Sequence, residues 1–504
     1  MSDTHGSAEA AAKAAGLAVI AALEAYWFLQ PVPFPFKALV ALLVVIAVAR
    51  PAAGLLVFAG LAPLSTVIAD LCGASGMGAP LLKQAALGIG AGALLWGGLR
   101  NDRTRIGPPA MLLATVGAAS AAVAILVVTE PFSRTLGYAR GLFEELLFRQ
   151  TGRVSPVWGP LLAAVTLAEC GLLGWSVERT VRRTPALGAR LLLIALIGHA
   201  GAAALNLQTV ASRAMRSGDM VHALPRLLMT TRVSWQTDWN AAASALLLAG
   251  IAGLALASGS RRRRAGVGLA LAVVAGGVWV TGSRAAIAIG LGAIAVAVAW
   301  RAAGAGRLGR VAAAGLALAV LGVGAWAIVG NPSGRNDPIS RSITVREVMF
   351  ETGVRLFAEA PVFGIGLTRF YGESERYAGP ALTGMGWRPT ENAHNNFIQV
   401  LAEQGLVGFA ALLWWLAVIL TGGVRAQISN PDAGRKGLLL AVVACVGTWL
   451  TGHPLIVPEF AFVFWLYCGI LTAMTPGAPA TRARWLPWVL AAGVLVSMPF
   501  RAMG

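Results

Sequence analysis

The stretch RRRRAGVGLALAVVAGGVWVTGSRAAIAIGLGAIAVAVAWR, residues 261–301, holds two apolar runs flanked outside by arginine and divided by a Gly282-Ser283-Arg284 turn. The runs at 265–282 and 285–300 carry no charged residue. Each approaches the roughly 20 residues a helix needs to cross hydrocarbon. Arg261 to Arg264 and Arg301 then mark one membrane face, and Arg284 marks the other. Small residues beside Arg284 allow two helices to meet closely. The side chain either snorkels to lipid headgroups or serves a function. Snorkelling does not account for a base on the face where bases are avoided.

The same grammar extends through the 504 residues. The chain is 57% hydrophobic and 12% charged, with a mean hydropathy of +0.71. A soluble protein of this size cannot hide so much apolar surface, so the expectation is an all-α polytopic membrane protein. Apolar runs recur near 14–29, 37–49, 52–68, 80–99, 109–129, 157–178, 187–207, 239–257, 265–282, 285–300, 309–329, 396–421, 437–451, 457–474 and 486–500. Several are short for a span, giving about 12 to 15 hydrophobic helices.

Every second connection is basic. Arg50, Arg100, Arg179, Arg261 to Arg264, Arg301, Arg425, Arg435 and Arg482 belong to connections that together hold twenty bases against three acids. Those connections face the cytoplasm by the positive-inside rule. The net charge of +18 therefore reflects membrane topology and calls for no nucleic-acid partner. The four cysteines, Cys72, Cys170, Cys445 and Cys468, lie in or beside apolar runs without metal-like spacing.

The expected organisation is 1–330 as transmembrane helices with outer loops at 130–155 and 208–237. Residues 331–395 then form a large periplasmic loop containing short helices, and 396–504 the C-terminal transmembrane helices. The 130–155 segment reads as an amphipathic helix in the outer interface. The 208–237 interval carries Arg213, Arg216, Arg226 and Arg232, and 331–395 carries seven arginines and seven acids. Such arginines either pair within a solvated loop or bind phosphate, which the guanidinium fork suits.

The 331–395 interval ends in WRPTENAHNNFIQVLAEQGLVGF, residues 387–409, where polar groups open an apolar helix. Asn392 is able to cap it, placing His394 in a first turn whose dipole disfavours imidazolium. Neutral imidazole is what a general base requires. Asn395, Gln399 and Glu403 follow at i, i+4 and i+8 as a polar stripe. Gly405 and Gly408 allow a neighbour to approach. Asp238, ahead of an apolar run, either orients a sugar or caps the helix. Trp235, Trp239, Tyr371 and Trp387 either stack on sugars or sit at the interface as aromatics do.

His394-Asn395, nine residues, Gly405, two residues and Gly408 resemble the H-[N/S/Q]-x9-G-x2-G motif of the O-antigen ligase family, part of a superfamily with bacterial polysaccharide polymerases. The segment Arg346-Glu-Val-Met-Phe350 followed by Pro361-Val-Phe-Gly364-Ile-Gly366 resembles the family's approach to that histidine, and Gly282-Ser283-Arg284 its other essential arginine. The family has Leu where Phe350 stands, which makes Arg355 a competitor to Arg346. The resemblance covers residues 230–430.

It implies an inverting glycan transfer at the periplasmic face of a bacterial inner membrane. The donor is a glycan on undecaprenyl pyrophosphate and the acceptor a hydroxyl of lipid A-core, or of another glycan in a polymerase. His394 is the implied base. Arg284 and either Arg346 or Arg355 are the implied substrate-binding arginines, and the residues themselves add Asn395, Gln399, Glu403 and Asp238 as candidate substrate contacts. No cofactor and no metal is expected, because the sequence has no D-x-D pair, metal-ligand cluster or phosphate loop. A lipid-linked glycan flippase, which would also present arginine to pyrophosphate, is the rival of another class.

The charge pattern makes a topological prediction. In intact spheroplasts a membrane-impermeant maleimide should label Glu375→Cys and leave Arg263→Cys unlabelled until the membrane is opened. Labelling of both, or the reverse order, contradicts the orientation.

Overall fold

The computed structural model describes residues 32–97, 107–127, 159–236, 238–257, 260–302 and 339–475, with isolated positions at 18, 311, 314, 315, 318 and 322. All regular structure among them is helical. In chain order the helices are α1 Phe34–Ala49, α2 Pro51–Leu61, α3 Ser65–Leu71, α4 Gly78–Gly97, α5 Gly107–Val127, α6 Gly159–Arg183, α7 Ala186–Arg216 and α8 Met220–Thr230. They continue with α9 Trp239–Gly253, α10 Arg261–Thr281, α11 Arg284–Ala302, α12 Ile339–Glu359, α13 Phe370–Gly384, α14 Asn396–Ser429, α15 Ala433–Thr448 and α16 Pro458–Ala473. Among the described residues five spans are long and apolar enough to cross a membrane: 51–71, 78–96, 186–216, 261–281 and 396–429. The shorter apolar helices α1, α5, α9, α11 and α16 pack among them. This is an all-α, polytopic membrane protein. The runs expected at 14–29, 309–329 and 486–500, and the amphipathic segment at 130–155, fall outside the described stretches.

Burial ranks the helices as their sequences imply. Helix α9 is apolar around nearly its whole circumference and is buried from Ala241 to Ala249. A helix without a polar face belongs inside a bundle. It packs on α7, α10, α11 and α15, while α16, buried from Glu459 to Thr472, packs on α6. Helix α10 starts at the Ser260 cap and stops at Gly282, whose φ of 67° is left-handed. That stop places Arg284 at the first position of α11.

One expected helix end moves. Helix α7 runs to Arg216 rather than ending near 207, so its 31 residues reach about 46 Å, beyond a hydrocarbon core of roughly 30 Å. Backbone bonding continues after the apolar run ends, so Arg213 and Arg216 lie in its last turn. The rest of 208–237 includes α8, capped by Asp219. Similarly, 339–395 contains a helical cap. Val345, Met349 and Leu356 of α12 bury against Phe370, Ala378 and Leu382 of α13, and against Ala393 and Ala402.

The cap joins the bundle through a break in α14. Gly405 has φ 62° and ψ −164°, which interrupts the helix. Residues 361–366 fill the gap: Ile365 N–H donates to Ala402 O (2.9 Å) and Gly366 N–H to Glu403 O (3.0 Å), while Leu406 N–H donates to Pro361 O (2.9 Å) and Val407 N–H to Val362 O (3.2 Å). Backbone polar groups at membrane depth must be satisfied within the protein, so this exchange permits the break. Contact is too close for side chains. A Cβ on Gly405 would lie 2.3 Å from Val362 O, and one on Gly364 2.2 Å from the Glu403 carbonyl carbon.

Accordingly, Gly405→Ala and Gly364→Ala should each destabilise the protein by about 2–4 kcal/mol, through steric overlap and a left-handed φ. Thermal unfolding in detergent measures it. A melting temperature equal to wild type in both would contradict the backbone exchange.

Candidate active site

At the end of the bundle that carries the cap, a cleft of about 770 Å³ opens between α9, the α10–α11 turn, α12, the loop before α14 and the connection after α15. Its lining includes His394, His453, Arg232, Arg284, Arg346, Arg388, Asp238 and Glu391. Four arginines face two carboxylates there.

His394 is held by its neighbours rather than by helical geometry. Its φ of 50° is left-handed, unusual for a residue with a side chain and worth about 1–3 kcal/mol of strain. On one side Ala393 N–H donates to Gln399 Oε1 at 3.0 Å. On the other, Asn395 Oδ1 accepts from Phe397 and Ile398 N–H, and Asn395 Nδ2 donates to Leu450 O at 3.1 Å. The cap of α14 is therefore Asn395, not Asn392, and His394 precedes the helix instead of occupying its first turn. Adjacent asparagines offer the same capping chemistry in the sequence. The Gln399 bond keeps Ala393 out of helical conformation and decides between them.

The helix dipole is thus not the main influence on this ring. Burial pushes the His394 pKa below the ordinary histidine value; the Glu391 carboxylate opposes that, the Arg346 guanidinium reinforces it, and Asp238 opposes it. Glu391 Oε1 lies 3.9 Å from His394 Nε2. The His453 ring centroid lies 5.2 Å from that of His394. Burial, then the like charge of His394, push His453 down to about 3. Both rings are neutral at pH 7.

Arg346 sits on α12, its Nη1 donating to Ser342 O at 3.0 Å and to Ser342 Oγ. Burial lowers its pKa first, and the positive charge of Arg284 lowers it further. The two guanidiniums repel each other across the cleft. Such a pair is stabilised by an anion placed between them.

The structure divides the other candidates. Asp238 lines the cleft and also caps α9, its Oδ1 accepting from Ala241 N–H at 2.7 Å. Gln399 and Glu403 lie beneath the His394 loop and outside the cleft: Gln399 Nε2 donates to Glu403 Oε1 at 2.9 Å, and that carboxylate accepts from Phe370 N–H at 3.2 Å. With Asn396 and Gln404 they line a second cavity of about 250 Å³. These side chains hold the loop and lie outside the cleft that contains His394. Arg355 points from the exposed face of α12, bonded to Glu351 and over the Tyr377 ring, away from the cleft. Of the two competing arginines, Arg346 is the one in the cleft. Trp239 and Trp387 line it as well, whereas Trp235 and Tyr371 do not.

Residues 269–413 match the family model described as O-antigen ligase. The chain carries an O-antigen ligase domain over those residues. No curated protein matches the sequence. The ligase domain takes in Arg284, Arg346, Arg388, Glu391 and His394, while Arg232, Asp238 and His453 reach the same cleft from outside it. A domain of that description supports an enzyme of the ligase or polymerase type in O-antigen biosynthesis. His453 and Glu391 escaped the sequence reading. Gly452-His453-Pro454, a polar interruption between two apolar runs, was the available signal for the first.

The charges around His394 fix the sign of two shifts. Diethyl pyrocarbonate modifies the unprotonated ring, so its rate at His394 against pH should give a midpoint below about 6.5. Glu391→Gln removes an opposing charge and should move the midpoint down; Arg346→Ala should move it up. Mass spectrometry of the modified peptide reads both, and unchanged midpoints contradict the assigned environment.

Proposed function

We propose that the protein transfers a glycan from undecaprenyl pyrophosphate to a sugar hydroxyl of lipid A-core, at the periplasmic face of a bacterial inner membrane, with inversion and without a metal. The observation that carries this reading is the shared cleft of a neutral His394 and the guanidiniums of Arg284 and Arg346.

The chemistry follows from those groups. Nε2 of His394 accepts the proton of the acceptor hydroxyl as its oxygen attacks the anomeric carbon. A carbon–oxygen bond forms on one face of the sugar, and the bond from that carbon to the phosphate oxygen breaks on the other. The bonding pair leaves on the diphosphate, and the proton stays on His394 until release. Arg284 and Arg346 hold the diphosphate and stabilise the negative charge it gains, with Arg232 and Arg388 adding to the field. The formal excess of two positive charges among the cleft residues matches the two negative charges of a diphosphate diester. The energy of transfer resides in the donor, so no nucleotide is required.

A polymerase would use the same base and the same donor, with a second lipid-linked glycan as acceptor. Incubating the purified protein with lipid-linked glycan and either lipid A-core or a lipid-linked acceptor distinguishes the two. Single additions to lipid A-core support the ligase, and lengthening of lipid-linked chains supports the polymerase.

For either acceptor, His394→Ala should lower the transfer rate about 10²–10⁴-fold while donor binding is retained. Arg284→Ala and Arg346→Ala should weaken donor binding as well. Wild-type transfer by His394→Ala contradicts the base. Loss of wild-type transfer in chelator, restored by one divalent cation, contradicts the arginine assignment. Translocation that needs His394, with transfer from an outside donor unaffected by its loss, would replace the enzyme by a flippase.

A further inference from the structure

The transfer reaction leaves open what the acceptor must present beside its attacking hydroxyl. We infer that Trp387 and Glu391 form the subsite for the acceptor sugar, a neutral ring with a free hydroxyl next to the one that attacks. This rests on the transfer reaction proposed above.

Glu391 is fixed from three directions. Its Oε1 accepts from Asn392 N–H at 2.9 Å, its Oε2 accepts from Trp387 Nε1 at 3.1 Å, and its own N–H donates to Ser374 Oγ at 3.0 Å. A carboxylate has about four acceptor positions, so capacity remains after those bonds. Its 3.9 Å from His394 Nε2 exceeds a direct hydrogen bond. Hydroxyls on neighbouring carbons of a sugar ring diverge and reach two acceptors set apart in this way. One donates to His394 and becomes the nucleophile; the other donates to Glu391.

Trp387 supplies the apolar half of the subsite. The bond from its indole N–H to Glu391 fixes the ring relative to the carboxylate, and the ring lines the cleft. An aromatic ring offers large contact area to the C–H face of a sugar, while its polar edge is satisfied elsewhere. Trp239, the other cleft tryptophan, has the Arg232 guanidinium over its ring at 5.7 Å, whereas Trp387 is the one bonded to Glu391. The negative charge of Glu391 also selects. A phosphate or carboxylate on the carbon beside the attacking hydroxyl would meet a like charge, while a hydroxyl there gains a charge-assisted bond.

Steady-state kinetics with the acceptor that wild type uses tests this, varying donor and acceptor separately. Glu391→Gln and Trp387→Leu should each raise the acceptor KM by about tenfold or more, with the donor KM within about twofold of wild type. Trp387→Phe, which keeps a six-membered aromatic ring and loses the pyrrole half with its N–H, should retain more acceptor affinity than Trp387→Leu. An acceptor deoxygenated beside the attacking hydroxyl should lose affinity for wild type and show little further loss with Glu391→Gln. A fall in kcat with unchanged acceptor KM in both Glu391→Gln and Trp387→Leu would overturn the subsite and make Glu391 a positioning residue for His394. So would equal losses on the intact and deoxygenated acceptors. A wild type inert towards every acceptor would remove the transfer reading itself, and this inference with it.

Discussion

The backbone exchange at Gly405 is the constraint on which the site depends. A helix that opens its hydrogen bonds inside a membrane protein needs partners at the break, and residues 361–366 provide them. Because those residues connect α12 to α13, the same bonds fix Arg346 on α12 relative to His394, which lies ahead of α14. The spacing from His394 to Gly405 then has a mechanical meaning. It separates the loop that presents the imidazole from the point where the cap is attached, with Gln399 and Glu403 holding the interval together.

Electrostatics in the cleft follow from that placement. Guanidinium groups come from four separate segments, at Arg232, Arg284, Arg346 and Arg388, while two imidazoles stay uncharged among them. Positive neighbours and burial both disfavour imidazolium, so the guanidiniums gathered in the cleft also help keep the imidazoles uncharged. Glu391 and Asp238 work in the other direction and moderate this effect at His394.

Much of this was legible in the sequence, and the parts that were not share a cause. Apolar runs bounded by arginine gave most helices to within a few residues, because the bilayer imposes length and flanking charge together. Arg284 and Arg346 were singled out and stand in one cleft with His394. Asn395, Gln399 and Glu403 were grouped as a stripe on one helical face and assigned to substrate. The grouping describes α14, yet the side chains turn to the cap, the loop and the capping site. Periodicity shows which residues share a face, not what lies opposite. Arg355 illustrates the same limit, since nine residues along one amphipathic helix separate it from Arg346 and only packing decides which arginine turns inward. The left-handed His394 was invisible because the residues on either side of it are held by side-chain bonds, Ala393 to Gln399 and Asn395 to the distant Leu450, which no periodicity signals.

The stitching of residues 361–366 into α14 also bears on how the molecule works through a catalytic cycle. Four main-chain bonds and two glycine contacts join the cap to a spanning helix, so the cap is riveted to the bundle rather than hinged upon it. Any movement of the cap against that helix would first have to break those four bonds.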